Sequence, residues 1–461
     1  MSAANHRSPS IHPLVVPTVP QAAWKGYEKI LFRLAFVYFI LQCVPLDRKY
    51  YQQLFSIRWT NLQYGDIFTL AHYAPRFAGG HGQQYADWGI VLIIALAGTL
   101  IWTLAGRNRA KEYSVWYYWL RVVVRYRLAI GLIAYGIIKF FPVQAPYPSL
   151  SNLNTPYGDF TRWKLFSLSL GIVPSYESFL GLVEILFGSL LLYRKTASIA
   201  AFLILVFTGN VFMSNLSYEG GEAVYCLYLI SLAAFLLLFD LNRIVSLLLL
   251  QKPTAPNPFR PRFAAVWLKQ ARLPLKALFV LFFIVLYGFK TGADYKKDPY
   301  RFPVTKGLAG ISGLYNVSLF VVNRDTLAYS NTDPLRWQDV VFEKWNTVSI
   351  KSNRPVIIDS NNIDQLSPEE KERSYELEGS TGRHYYSYTA DTVHRILTLN
   401  NKNRHYPGEK LVLHYILGDA QLFLSGVDQK NDSIYTVLNL LDKKYLVQEA
   451  ARLGRRGRLK L

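Results

Sequence analysis

The feature that most constrains this chain is a series of apolar segments, each close to the length that spans a lipid bilayer. A transmembrane helix needs about 20 mainly apolar residues, with a tolerated range of about 17–25. The segments are Tyr27–Val44, Trp88–Leu104, Val122–Phe141, Ser178–Tyr193, Thr196–Asn215, Glu222–Phe239 and Leu273–Gly288. They are largely apolar on all sides, whereas a helix at the surface of a soluble core has a charged face. The sequence therefore predicts an α-helical polytopic membrane bundle of about seven spans.

Basic residues concentrate in every second connection between these segments. Arg194 and Lys195 fill the turn between the fourth and fifth segments, whereas the connection from Tyr218 to Glu222 is acidic. Because basic loops stay in the cytoplasm, this asymmetry predicts a cytoplasmic N-terminus and an extracytoplasmic C-terminal domain. Residues 1–23 are polar and rich in proline, and no small-residue cleavage site follows the first apolar segment. We therefore expect an uncleaved anchor at the N-terminus and not a signal peptide.

Charge, cysteine and histidine usage exclude several classes of function. The formal net charge of +20 would suit a nucleic-acid-binding protein, but much of it lies in the short connections between apolar segments. We expect the lipid bilayer, and no nucleic acid, as the partner of these residues. The two cysteines, Cys43 and Cys226, lie inside apolar segments, so we predict no metal site. None of the eight histidines lies within a predicted span, which argues against a haem held by two histidines in the bilayer.

Polar side chains at helical spacing predict a pocket inside the bundle. Charged groups in a bilayer are costly and are generally paired or functional. Lys139 and Glu184 fall at comparable depths on neighbouring segments, so we expect them to pair. The predicted pocket comprises Tyr135, Lys139, Glu184, Asn210, Asn215 and Tyr218, and the glycines predicted to pack helices closely are Gly131, Gly136, Gly181 and Gly188. A ligand pocket and a buried ion pair that only fixes helix packing are equally consistent with this pattern.

After Gly288 the pattern changes to the two-residue period of β-strands. The predicted strands are Ser387–Thr389, Ile396–Leu399, Leu411–Leu417, Gln421–Leu424 and Ile434–Leu440. Several short strands with turn residues between them predict an antiparallel sheet that closes into a small barrel or sandwich. We interpret its aromatic residues as cross-strand packing. Asp391 and His394 are close in sequence, but two such residues alone predict no catalytic triad.

Three short motifs resemble those of the DoxX-like membrane proteins. They read Arg127-x-x-x-Gly131, Gly136-x-x-Lys139 and Glu184-x-x-x-Gly188, in the order that this family has them. The loop run with Tyr157 and Asp159 is similar to that of a long bacterial subgroup. So are Asn210, Asn215 and the pair Asp240 and Arg243. The subgroup ends in an aromatic and proline-containing motif, whereas this chain ends in a basic one, Arg455-Arg456-Gly457-Arg458.

The resemblance implies a four-helix DoxX-like unit with flanking spans and a C-terminal β domain, in a bacterial cytoplasmic membrane. The corresponding divisions are 1–26 (cytoplasmic tail), 27–115 (two flanking spans with an outer loop), 116–250 (DoxX-like unit), 251–272 (cytoplasmic linker), 273–289 (last span) and 290–461 (mainly antiparallel β domain).

Relatives in this family include the membrane subunit of a thiosulfate:quinone oxidoreductase and membrane partners in oxidative-stress complexes. The resemblance thus leaves two functions open. The first is an accessory or binding subunit that is not catalytic alone. The second is the membrane subunit of a quinone-linked oxidoreductase, with quinone as its candidate cofactor and a redox or envelope protein as its partner. A transporter has little support, because the sequence has no clear repeat of broken helices.

Overall fold

A computed structural model describes residues 24–77, 84–105, 113–254, 266–358, 370 and 373–453. The predictions for the N-terminal tail, for the basic residues between 107 and 111 and for the C-terminal arginines lie outside the described residues. The helices are α1 (Gly26–Cys43), α2 (Arg48–Ser56), α3 (Tyr64–Ala71), α4 (Tyr85–Ala105), α5 (Ser114–Phe140), α6 (Leu150–Leu153), α7 (Arg162–Gly171), α8 (Pro174–Leu191), α9 (Ala197–Ser217), α10 (Ala223–Leu238), α11 (Leu241–Leu248), α12 (Val266–Val280), α13 (Tyr287–Asp294) and α14 (Leu446–Leu453). The strands are β1 (Gly313–Val322), β2 (Asp325–Thr326), β3 (Asp339–Phe342), β4 (Thr347–Lys351), β5 (His384–Asp391), β6 (Ile396–Asn401), β7 (Lys410–Gly418), β8 (Gln421–Asp428) and β9 (Ser433–Leu441).

Within the described residues, four helical segments are long and apolar enough to cross a membrane, or up to six if each of two bent helix pairs is one span. The four are Gly26–Ser56, Tyr85–Ala105, Ala197–Ser217 and Gln270–Lys297. The bent pairs are α7 with α8 and α10 with α11, at 93° and 70°. These segments are characteristic of a membrane-embedded protein. The predicted third span lies in α5, which is outside this count and carries four basic residues, so the number seven stays a prediction.

Helix α5 lies at the centre of the bundle and packs most closely against α8. Its buried face extends from Leu120 to Ile138. Gly136 of α5 and Gly181 of α8 meet where the two helices cross, and a Cβ built on Gly181 would lie 2.4 Å from the Gly136 carbonyl oxygen. Small residues let helix backbones approach in a bilayer, where packing replaces the hydrophobic effect as the main attraction between helices. The crossing therefore fixes the side chains of α5 and α8 relative to each other.

The connection between α1 and α4 folds back onto the bundle. Helix α3 buries Ile67 and Ala71 against it. The Arg127 guanidinium of α5 donates to the Tyr73 carbonyl, and the Asp87 carboxylate of α4 accepts from the Phe77 amide at 2.6 Å. The segment after α3 is thus held at both ends. The sequence predicted only an outer loop here.

The last long helix extends beyond the predicted span Leu273–Gly288. It begins at Val266, inside the predicted linker, and continues through a π-helical turn at Leu281–Leu286 into α13. Pro274 lies inside it. A proline removes one backbone hydrogen bond, and a helix tolerates this where the freed carbonyl finds another partner. The sequence did not predict this extension because charged residues precede Leu273.

The nine strands described in the C-terminal domain form one antiparallel sheet that closes on itself. The order is β2-β1-β3-β4-β5-β6-β7-β8-β9, and β1 also pairs with β9, so the domain is a closed β-barrel. Closure leaves few unpaired strand edges. Leu397, Leu413 and Leu438 are among the inward residues that fill it. The prediction of an antiparallel β domain is confirmed, and of its two alternatives the barrel is correct.

The barrel rests on the loop that joins α5 to α7. The Glu343 carboxylate, beside β3, accepts hydrogen bonds from the Ser151 amide at 2.8 Å and the Ser151 hydroxyl at 2.6 Å. The Ser349 hydroxyl of β4 donates to that of Ser151 at 2.8 Å, and the Arg383 guanidinium donates to Ser349 at 2.7 Å. Burial raises the pKa of the Glu343 carboxyl, and its bonds to Ser151 oppose this. A buried polar network thus joins the two parts of the molecule.

Candidate functional site

A buried ion pair lies beside the crossing of α5 and α8. Lys139 Nζ donates to Glu184 Oε1 at 2.6 Å, and the two side chains are 13% and 5% exposed. The predicted pair is therefore present in the structure. The second oxygen of this carboxylate, Glu184 Oε2, is buried and accepts no hydrogen bond from the residues that the structure describes.

This pair forms part of the wall of a cavity between α5, α8, α9 and α10. The space between these helices that protein atoms do not fill is about 450 Å³, a volume that includes space open to the surroundings. Its lining residues are Leu132, Tyr135, Lys139, Gln144, Glu184, Thr208, Val211, Asn215, Glu222, Tyr225, Cys226 and Leu229. The Thr208 hydroxyl is also buried with no partner among the described residues. The wall thus combines apolar side chains with several polar groups.

Two polar residues of the cavity wall, Tyr135 and Glu222, also contact His72, which is not among the lining residues. The Tyr135 hydroxyl lies 3.0 Å from His72 Nε2, and the same nitrogen lies 3.6 Å from Glu222 Oε2. The His72 ring packs against the Tyr225 ring with centroids 4.1 Å apart. Sequence reasoning missed both His72 and Glu222, because His72 lies in a connection and Glu222 at a predicted span boundary. The apolar face of α3, with Ile67 and Leu70, was the signal that this connection is buried.

The structure brings together four of the six predicted pocket residues: Tyr135, Lys139, Glu184 and Asn215 line the cavity. Asn210 lies on the exposed face of α9 and is not among the lining residues. Tyr218 is 41% exposed and stacks on Phe166. Asn210 points away from the cavity because it lies about 200° around α9 from Thr208, which lines the cavity.

The predicted packing glycines all lie at close contacts. A Cβ built on Gly131 would lie 2.8 Å from the Tyr225 hydroxyl oxygen, and one on Gly188 would lie 2.7 Å from an Ile133 side-chain carbon. One on Gly136 would lie 2.9 Å from the Gly181 carbonyl oxygen. These positions leave no room for a larger residue without movement of a neighbour.

The predicted loop motif lies at the barrel and not at the cavity. The Asp159 carbonyl accepts from the Thr381 amide at 2.9 Å, next to a β-bridge between Phe160 and Ser380. Tyr157 is 78% exposed. This segment therefore positions the barrel on the bundle.

A polar cluster on the barrel is bonded internally. The Glu409 carboxylate accepts from Arg354 Nη2 at 2.8 Å and from the Tyr386 hydroxyl at 2.5 Å. Burial, together with the nearby Arg354 charge, lowers the pKa of His384 to about 4. Burial raises the pKa of the Glu409 carboxyl, but its bonds to Arg354 and Tyr386 lower it overall. We interpret this cluster as structural, because its members satisfy one another.

Among the described residues, no group of three or more His, Cys, Asp or Glu side chains is placed to hold a metal ion. Asp391 and His394, which are close in sequence, form an exposed contact, with His394 Nδ1 2.7 Å from Asp391 Oδ2. The cavity at Lys139 and Glu184 is therefore the candidate functional site. It can bind and orient a polar group and exchange protons with it.

Comparisons with models of protein families, with curated proteins and with solved structures found no match to this chain.

Proposed function

We propose that this protein is a DoxX-like integral membrane subunit that binds the polar head of a small amphiphilic molecule in the cavity beside Lys139 and Glu184. The observation that carries the proposal is the unpartnered, buried Glu184 Oε2, which belongs to a residue of the cavity wall. Thr208 supplies a second such atom in the same wall.

Buried polar atoms without partners cost free energy, about 1–3 kcal/mol each. An ion pair that served packing alone would be expected to have its remaining oxygen bonded or its surroundings filled. Here two unbonded oxygens belong to the wall of one cavity, so a ligand with hydrogen-bond donors would satisfy both. The apolar residues Leu132, Val211 and Leu229 suit the less polar part of the same ligand.

A quinone head group is the second candidate ligand, because the wall also contains groups that donate hydrogen bonds. The Lys139 ammonium and the Tyr135 hydroxyl are both able to donate to carbonyl oxygens. No flavin or metal motif occurs in the sequence, so in this version a redox partner supplies the electrons. The barrel, in our proposal, lies outside the cytoplasm of a bacterial cell and offers that partner a surface.

The test is purification of the full chain in discs of its native membrane, followed by mass spectrometry of the extracted small molecules. We expect the wild-type protein to retain one amphiphile in near-stoichiometric amount. Thr208→Val keeps the shape of the side chain and removes its hydroxyl, so it should reduce the retained amount several-fold. Asn210→Leu, on the exposed face of the same helix, is the matched control and should retain it.

Two results would reject the proposal. One is a wild-type protein that carries no molecule beyond bulk lipid and binds no added amphiphile. The other is an equal loss in the Thr208→Val and Asn210→Leu variants, which would assign retention to the lipid-facing surface of α9. If the retained molecule is a quinone, the oxidoreductase version gains support.

A further inference from the structure

We infer that Tyr135 and His72 form a proton relay that accepts a proton from an acidic hydroxyl group of the bound ligand. The inference rests on the proposed function, since it needs a ligand in the cavity. It narrows the ligand to a weak acid, such as a phenol or an enol, that the cavity holds as its anion.

The first argument is the placement of one nitrogen between two oxygens. His72 Nε2 lies 3.0 Å from the Tyr135 hydroxyl oxygen and 3.6 Å from Glu222 Oε2. A proton on this nitrogen would therefore lie close to a hydroxyl oxygen and a carboxylate, which both accept hydrogen bonds. Without that proton, the nitrogen is placed to accept from the Tyr135 hydroxyl, which also hydrogen-bonds to the Glu222 carboxylate.

The second argument is the position of Tyr135 between the cavity and His72. Tyr135 lines the cavity, and one helical turn further along α5 the Lys139 ammonium lies 5.6 Å from the centre of its ring. A ligand hydroxyl beside Tyr135 would thus have an acceptor for its proton on one side. It would have a cation for the resulting oxyanion nearby.

The proton transfer balances without any redox step. The O–H bond of the ligand breaks and its proton moves to the Tyr135 oxygen. The proton that Tyr135 carried moves to His72 Nε2, which becomes an imidazolium beside the Glu222 carboxylate. The ligand remains as an oxyanion near Lys139, and the reverse transfer restores every group.

The third argument is that the exposed fraction of the side chain increases from Glu184 to His72 and Glu222. The Glu184 side chain is 5% exposed, the His72 side chain 18% and the Glu222 side chain 29%. His72 lies on the connection between α1 and α4, outside the helical segments that qualify as spans. His72 and Glu222 therefore lie nearer the surface of the protein than Glu184 does.

The groups that face His72 come from four parts of the chain. Tyr135 belongs to α5, Tyr225 to α10 and Glu222 to the residue before α10, whereas Phe68 of α3 stacks on the ring with centroids 5.3 Å apart. The Arg76 guanidinium, in the connection after α3, acts electrostatically on the Glu222 carboxylate. Any pH dependence of the relay therefore depends on Glu222 and Arg76 as well as on His72.

The experiment uses 4-nitrophenol as the probe, because it ionises near neutral pH, where an imidazole can still accept a proton. Its neutral methyl ether, 4-nitroanisole, is the control ligand. The visible spectrum of the probe reports its ionised fraction directly. We expect the probe bound to the wild-type full chain to be half ionised at a lower pH than the free probe in the same detergent. The difference should be at least one pH unit. In His72→Asn, which keeps a polar side chain but accepts no proton, the ratio of anion to neutral probe should fall about tenfold at that pH.

A structural role of His72 predicts a different pattern. Phe68→Leu disturbs the stacking on His72 but keeps its acid–base groups, so it should leave the ionisation of the bound probe close to wild type. If both ligands bind wild type and the bound probe ionises at the same pH in His72→Asn as in wild type, the relay is wrong. The proposed ligand site is then unaffected. If neither ligand binds wild type saturably although the purified protein retains an amphiphile, the relay is wrong and the proposed function stands. If the purified protein also retains no amphiphile, both fail.

Discussion

Replacing Gly181 by alanine tests whether the close crossing of α5 and α8 positions the Lys139–Glu184 pair. The added Cβ would lie 2.3 Å from the Phe140 backbone nitrogen, whereas ordinary van der Waals contact begins at 3.4 Å. The three nearest atoms all belong to the backbone of α5, so rotation of a side chain brings no relief. To restore ordinary contact the helices must separate locally by about 1 Å, the difference between 2.3 and 3.4 Å.

A separation of that size would lengthen the 2.6 Å contact between Lys139 and Glu184 beyond hydrogen-bonding distance. Overpacking costs about 1–3 kcal/mol, and loss of a hydrogen bond to a charged group adds about 1.5–3 kcal/mol. We therefore expect Gly181→Ala to lower the free energy of unfolding by about 3–5 kcal/mol. The variant should also bind the cavity ligand several-fold more weakly.

The matched control is Gly209→Ala in α9, where a Cβ would meet no atom within 4 Å. Alanine favours a helix interior over glycine by about 1 kcal/mol, so this variant should be as stable as wild type or slightly more stable. Thermal unfolding in one detergent, followed by size-exclusion chromatography, measures both. Equal stability of Gly181→Ala and Gly209→Ala would refute the close crossing as the support of the ion pair.

Three further predictions concern the ion pair, the barrel, and the junction between the barrel and the helical bundle. Lys139→Met alone leaves the Glu184 carboxylate buried without its cation and should lower the free energy of unfolding by about 3–5 kcal/mol. Adding Glu184→Leu should recover much of that loss. Thermal unfolding measures both, and a double variant as unstable as the single one would contradict this. Burial lowers the pKa of His384 from 6.5 to about 4, so the folded protein resists protonation of this ring. About 3 kcal/mol of stability, fully present above pH 6.5, should therefore be lost as the pH falls towards 4. Urea unfolding at several pH values should show a smaller loss of stability at acid pH in His384→Asn than in His414→Asn. Glu343→Ala removes the acceptor of three hydrogen bonds from the loop beneath the barrel and should speed proteolysis of that loop, with an unchanged rate contradicting the junction.

Much of the fold follows from patterns that act over short distances. Apolar segments of the right length predicted the membrane-embedded helices, and the two-residue period predicted the strands from β5 to β9. The short strands β3 and β4 were missed because they contain four and five residues and depend on pairing with distant strands. Local alternation in such strands is too brief to be distinguished from a loop.

The site was predictable only where it lies on regular helices. Lys139 and Glu184 were expected to pair because helical rise gives their depth. Asn210 was included because a polar residue in a span has no assigned face until the neighbouring helices are known. His72 reaches the site through a tertiary contact, the anchoring of its segment by Arg127 and Asp87, which no periodic pattern encodes.

The most direct test of a ligand site in the bundle is a single-particle electron microscopy map of the full chain in lipid nanodiscs. We expect a belt of lipid around α1, α4 and α9, with the barrel outside it. We also expect non-protein density in the cavity, within hydrogen-bonding distance of Glu184 Oε2 and the Thr208 hydroxyl. A well-resolved cavity that is closed by movement of α8 and α9, with both oxygens bonded to protein, would contradict the account and leave the ion pair with a packing role alone.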